Sequence, residues 1–314
     1  MKGNYSVAVL MSSYNGEKYI GQQIKSILSQ KLDGGNLHLF IRDDGSTDGT
    51  FKIIKEYEKI DDRITILPGE NRGYIASFFM LLYEMKNSAT RFDFYSLADQ
   101  DDVWESDKIQ AAVDMLREYE NVPVLYQSVT SIVDEHLNFL RNSQACCKEI
   151  SIFNSLIQTF SPGHTYVLNY CLLEKVPLGI EFNRLYGHDA YLTNLAVLQG
   201  KIIFDNESHV LYRQHGKNQL GASIRNDILG WLKMRVKRIF NGDSKKYAQQ
   251  IEYIYDSLGD LLTKEEKEEL KKFLLNRRSF RKRLMYIFTT KLYRQRKVET
   301  FLFKVLYLFG GYNV

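Results

Sequence analysis

Within the first hundred residues, four short apolar runs each end in a polar or acidic cluster, and amphipathic stretches of helical length separate them. Ser6–Met11 runs into Ser12-Ser13-Tyr14-Asn15-Gly16, and Leu37–Ile41 into Asp43-Asp44. Ile64–Leu67 leads to Asn71-Arg72, and Phe92–Leu97 to Asp99–Asp102. Helices are expected at about Glu17–Gln30, from Thr47 or Asp48 to about Ile60, and over Tyr74–Met85. A further helix at Glu105–Tyr119 precedes a fifth strand at Val122–Gln127. Strands joined by helix-length crossovers pair in parallel, so an α/β fold on a mostly parallel sheet is expected. Such sheets bind ligands beyond the carboxyl ends of their strands, which gathers the four clusters into one site.

Beyond about Ile224 the chain turns long, charged and helical, and we place a boundary there: an α/β domain over 1–224 and a helical C-terminal extension over 225–314. Thr263, ahead of KEEKEELKKFLL, has the spacing of a helix cap. The net charge of +4 hides an asymmetry: residues 225–314 hold 21 Lys+Arg against 10 Asp+Glu, and residues 1–224 hold 21 against 28. An acidic first part suits a cation and a basic tail suits an anionic surface. From Asn276 to Lys304 ten basic residues face one acid, Glu299, with Tyr, Phe and Leu interleaved. This segment reads either as a basic amphipathic element lying on an anionic membrane surface or as a hairpin packed on the first domain or on another subunit of a homo-oligomer. No nucleic-acid recognition module is evident.

The stretch Ile150–Leu173 lacks charge, but Asn154, Gln158, Ser161, Pro162 and Asn169 interrupt it, so no transmembrane helix is expected. The N-terminus fits a first strand better than an export signal. Three cysteines, two of them adjacent (Cys146 and Cys147), fit reduced thiols and a cytoplasmic location.

Asp99-Gln100-Asp101-Asp102 directly follows the apolar FDFYSLA. Three carboxylates so close repel one another unless a positive group compensates them, and Mg²⁺ or Mn²⁺ beside a phosphorylated substrate would do so. The bland alternative is an acidic turn capping the next helix. Asp43, in RDDGSTDGT, is either turn chemistry or an acceptor for a base imide N–H. Asp189 opens the apolar pattern AYLTNLAVL, where a carboxylate is either a helix-start residue or a functional group. His215, in YRQHGKN, is either a structural histidine or a metal ligand.

Taken in order, Val9–Asn15 with EKYI, then RDDGSTDGT, ENRGYIASF, LADQDDVW, GHDAYL and YRQHGKN resemble the family 2 glycosyltransferases with the GT-A fold. The resemblance covers roughly residues 5–220 and is strongest to bacterial rhamnosyltransferase-like enzymes of surface polysaccharide synthesis. It implies that Tyr14, Asn15 and Glu17 line the base and ribose, that Asp43 contacts a pyrimidine, and that Arg72 lies near the base or pyrophosphate. It further implies Asp99 at the ribose, Asp101 as metal ligand with His215, and Arg213 at the phosphates. Asp189 would be the catalytic base, although His188 stands where the family usually has Glu. Ser161-Pro162-Gly163-His164 would be a small-residue loop near the sugar, or a plain turn.

The implied enzyme is an inverting, metal-dependent transferase. It would move a sugar from a UDP or dTDP donor to a glycan or lipid-linked glycan, in the cytoplasm or on the inner face of the membrane. A sugar-nucleotide-synthesising nucleotidyltransferase would want a Gly-rich, Arg/Lys-bearing loop after the first strand, and SSYNGEKY lacks one. A catalytically silent scaffold sits poorly with the joint presence of Asp99, Asp101 and Asp189.

Overall fold

The structure is a computed structural model that describes residues 4–216 and 242–313. Lys217 and Asn218 of the YRQHGKN motif, and the expected boundary at residue 224, lie outside the described residues. The chain forms two compact units: Met1–Ala145 with Ser161–Gly179 and Gly200–Ala222, and Cys146–Phe160 with Ile180–Gln199 and Ser223–Val314.

The first unit opens with β1 (Tyr5–Ser13), α1 (Ile20–Leu28), β2 (Gly35–Asp43), α2 (Thr50–Glu58), β3 (Ile64–Pro68), α3 (Tyr74–Asn87) and β4 (Phe94–Ala98). β5 (Val103–Trp104), α4 (Lys108–Leu116), β6 (Val124–Val133) and β7 (Phe139–Asn142) follow. β3, β2, β1 and β4 lie side by side in parallel, as the alternating pattern requires. α1 sends Ile20, Ile24 and Ile27 inward at helical spacing onto Val7, Val9 and Met11 of β1 and Leu39 and Ile41 of β2. Every residue of β4 is buried, as befits a strand covered on both faces. The acids that follow it are thereby fixed to the end of a rigid element.

The sheet departs from expectation after β4. Its next neighbour is the short β8 (Val167–Asn169), which runs antiparallel to both β4 and β6, and β6 then pairs in parallel with β9 (Lys201–Arg213). β8 comes from the uncharged Ile150–Leu173 stretch. That stretch is divided between the units: α5 (Ile152–Ser155) lies in the second, while β8 and α6 (Tyr170–Lys175) lie in the first. Asn169 makes this insertion possible, because its amide accepts from Val124 N and Leu172 N and donates to the Tyr119 and Val122 carbonyls.

The second unit holds α5, α7 (His188–Gln199), α8 (Asp243–Ser257), α9 (Lys264–Asn276), α10 (Phe280–Thr289) and α11 (Lys297–Leu308). Thr263 caps α9 in a reciprocal box with Glu266. Phe273, Tyr286, Phe303 and Tyr307 form an aromatic core between these last helices. Buried Glu269 accepts from the Tyr286 and Thr290 hydroxyls, each at 2.6 Å. No helix among the described residues is long and apolar enough to cross a membrane.

Candidate active site

The loops after β1, β2, β3 and β4 are tied to one another by side chain–backbone hydrogen bonds. Gln100 clamps the first loop: Tyr14 N donates to its Oε1 and its Nε2 donates to Tyr14 O, both at 2.9 Å. Gly16 lies so close to the Gln100 side chain that a Cβ there would collide with it. Asn15 takes a left-handed backbone (φ 49°), which Asn tolerates better than most residues. Its Oδ1 accepts from Thr47 N at 2.8 Å, and Glu17 Oε2 accepts from Gly49 N at 2.7 Å. Both side chains therefore brace the first loop against the turn before α2. Tyr14 is 45% exposed.

Asp43 is buried and accepts from Ser46 N at 3.0 Å and Ser46 Oγ at 2.6 Å. Asp44, equally buried, pairs with Arg42 at 3.0 Å and accepts from the backbone of Arg72 and Gly73. It joins the second loop to the third. The Arg72 guanidinium itself is surface-exposed, 3.5 Å from Glu70.

The acidic cluster splits into two sets. Asp102 is fully buried: its Oδ1 accepts from Arg213 N at 3.1 Å, and its Oδ2 lies 2.9 Å from His164 Nδ1. The same nitrogen is 3.2 Å from Asp99 Oδ2. Burial disfavours a charged imidazole, but the carboxylates of Asp102 and Asp99 outweigh it and raise His164 above the ordinary imidazole range, while burial raises Asp102 as well. His164 thus stands against both carboxylates, with Nδ1 within 3.2 Å of each. Behind it, Lys108 is fully buried, 2.6 Å from Ser96 Oγ and 3.5 Å over the Trp104 ring, and burial holds its amine well below the usual range.

Asp101 stands apart, its Oδ2 2.7 Å from His215 Nε2. Arg213 positions this pair. Its Nε donates to Asp101 O, its Nη1 to Glu135 O and its Nη2 to Gln22 Oε1, while the guanidinium lies over the Tyr19 ring. The His215 ring also packs against Tyr19, with 4.9 Å between the ring centroids.

Tyr14, Asn15, Glu17, Asp43, Arg72, Asp99, Asp101, Arg213 and His215 all fall in the first unit. Asp189 falls in the second, in the first turn of α7, where its Oδ1 accepts from Ala190 N at 2.7 Å. A Cβ at Gly187 would meet that same oxygen, so a larger residue there would shift the Asp189 side chain. Reading the sequence does not single out Gln100, Asp44 or Lys108, and it meets His164 only as part of a loop. Gln100, Asp44 and His164 bond to groups 86, 28 and 65 residues away, distances at which no local pattern marks a pair, and Lys108 is identified by its burial against Ser96 and Trp104.

A central parallel sheet ending in this acidic cluster, with histidine beside it and helices at the C-terminus, defines an α/β protein of the GT-A type. The chain belongs to glycosyl transferase family 2, whose family model matches residues 8–192, and it is a glycosyltransferase. It is similar to the dTDP-rhamnosyl transferase RfbG of Shigella flexneri, at 30% identity over 259 residues, covering 80% of this chain and 85% of that protein. Among solved structures it resembles S. aureus TarS 1–349 in complex with UDP, with a TM-score of 0.55, 18% identity, and 91% and 76% of the two chains covered. It spans only 43% of the longer TarS chain. The mannosyltransferase PcManGT from Pyrobaculum calidifontis, in complex with GDP-Man and Mn²⁺, gives a TM-score of 0.56 at 14% identity, covering 97% and 85%. At such identities these structures speak to the fold alone.

Proposed function

We propose that this glycosyltransferase moves a sugar, with inversion, from a UDP- or dTDP-sugar to a hydroxyl of a growing cell-surface polysaccharide or lipid-linked glycan. We further propose that it needs Mn²⁺ or Mg²⁺. The observation that carries the reading is the meeting of Asp101 Oδ2 and His215 Nε2 at 2.7 Å beyond the end of β4. Adjacent ligands of an octahedral ion at about 2.1 Å stand about 3 Å apart, so this carboxylate–imidazole pair fits a divalent cation. Such an ion, when bound, supplies Lewis-acid charge against the departing diphosphate.

The protein's own groups would do the rest. Asp43, buried and oriented by Ser46, would accept from a pyrimidine imide, with the Tyr14 ring beside the base. Asn15 and Glu17 would shape that pocket through the turn they hold, and Asp99, fixed by His164, would meet the ribose. Arg72 would lie at the edge of the base or pyrophosphate. Arg213, already engaged by three protein oxygens, would order the Asp101 loop and lend its charge to the phosphates. Asp189 would take the acceptor's proton; a single base with in-line attack inverts the anomeric carbon. The 30% identical dTDP-rhamnosyl transferase makes dTDP-rhamnose the first donor to test.

A melting-temperature panel of UDP- and dTDP-sugars with and without Mn²⁺ tests the reading, because a ligand of the folded state raises the melting temperature. A metal-dependent rise is expected, and it should vanish in Asp101→Ala. An equal rise without metal would remove Asp101 and His215 from the donor site.

A further inference from the structure

Helices on a protein surface normally turn their apolar stripe inward. α10 does the reverse: of its ten residues only Tyr286 is buried, while Phe280, Leu284, Met285 and Phe288 are exposed. Phe280, Leu284 and Phe288 recur every fourth residue and so share one stripe. The exposure is large, 73% for Met285 and 79% for Phe288. α11, which packs against α10, buries Glu299, Phe303 and Tyr307 but leaves Val298 and Phe301 outside, with Phe309 just past its end. Single exposed apolar side chains are ordinary; a concentration on two neighbouring helices is not.

Of the ten basic residues from Asn276 to Lys304, Arg283 donates to the Leu308 and Arg277 carbonyls, and the other nine divide in two. Arg277, Lys291 and Arg294 are paired with Glu252, Glu265 and Glu299. Arg278, Arg281, Lys282, Arg296 and Lys297 are exposed and Lys304 is half-buried, and none of these six forms an ion pair among the described residues. Uncompensated cations therefore accompany the outward apolar side chains.

We propose that the outward faces of α10 and α11 form a docking surface for an anionic lipid bilayer. The apolar side chains would enter the boundary between headgroups and acyl chains, and the six cations would meet anionic headgroups. At ten and twelve residues the helices are about 15 and 18 Å long, against about 30 Å of hydrocarbon, so they would lie on the membrane without spanning it. A second copy of the chain is a poorer occupant, because a two-fold contact would set the same cations against one another with no acid to meet them. What the docking would accomplish rests on the function proposed above: it would hold the enzyme where a lipid-linked acceptor presents its hydroxyl.

The test uses the full-length protein with vesicles of phosphatidylcholine alone or with one-quarter phosphatidylglycerol, read by co-sedimentation, and light scattering for oligomeric state. Binding is expected to the anionic vesicles and to weaken in high salt. Arg281→Glu with Lys282→Glu should lower the partition coefficient by about tenfold or more. Phe288→Glu should lower it too, with the melting temperature kept in both variants. Donor consumption in water, measured on the same samples, should not change, so failure to bind vesicles and failure of the donor assignment are separate results. The proposal is overturned if wild type ignores anionic vesicles at low salt, or if these variants bind as wild type does. It is equally overturned if Phe288→Glu only dissolves a dimer.

Discussion

Asp102 is fully buried against His164, whereas Asp101 keeps 17% of its side chain exposed beside His215. Removing one partner of a buried pair leaves a charge without compensation, which typically costs about 3–5 kcal/mol. His164→Ala should therefore lower stability by that order in urea unfolding. Asp101→Ala should cost about 1 kcal/mol or less, since its pair is partly in water. Equal losses for the two variants would erase the distinction between a carboxylate sealed from solvent and one left partly open to it. Asp189→Asn keeps the shape of the side chain but removes its basicity. Turnover should fall by about 10²–10⁴-fold while donor affinity, measured by calorimetry, stays the same. Unchanged turnover would place the base elsewhere. The acids of this cluster are legible in sequence because they are crowded into four residues. Their division of labour is not, because His164 lies 65 residues from Asp99 and His215 lies 114 from Asp101.

At the scale of elements, Thr263 is read as a helix cap from its place ahead of KEEKEELKKFLL, and the fold shows it capping α9 in a reciprocal box with Glu266. Thr263→Ala removes the oxygen that accepts from Glu266 N and should cost about 1 kcal/mol, seen as a lower urea midpoint with an unchanged slope. No change would mean that the end of α9 is held by packing alone. β1 to β4 are equally legible, because buried parallel strands are continuous apolar runs. β8 is not. Its three residues carry no alternation to count, and it becomes a strand only because β4 and β6 offer unpaired edges on either side.

Across the whole molecule, the C-terminal helices share a compact unit with the Asp189 segment. Tyr186 N donates to Gln250 Oε1 of α8 at 2.9 Å, and the Tyr186 and Tyr247 rings stack at 3.9 Å. A chain ending at Gly242 should lose the order of α7, with its amides exchanging as an unfolded segment does, while β1 to β4 stay protected. Protection of α7 in that shortened chain would show that the C-terminal helices do not support it.

By itself the sequence determined the α/β class, the four strand-end clusters, the glycosyltransferase family and the helical end of the chain. These follow from periodicity, capping and short motifs, which operate within a few residues of one another. Only the tertiary structure decided that His164 stands against the buried Asp102, that Asn15 and Glu17 brace a neighbouring loop, and that β8 runs against its neighbours. It also decided that α10 turns its apolar stripe outward. These depend on contacts between segments far apart along the chain, where burial sets which charge stays paired and which surface is left uncovered.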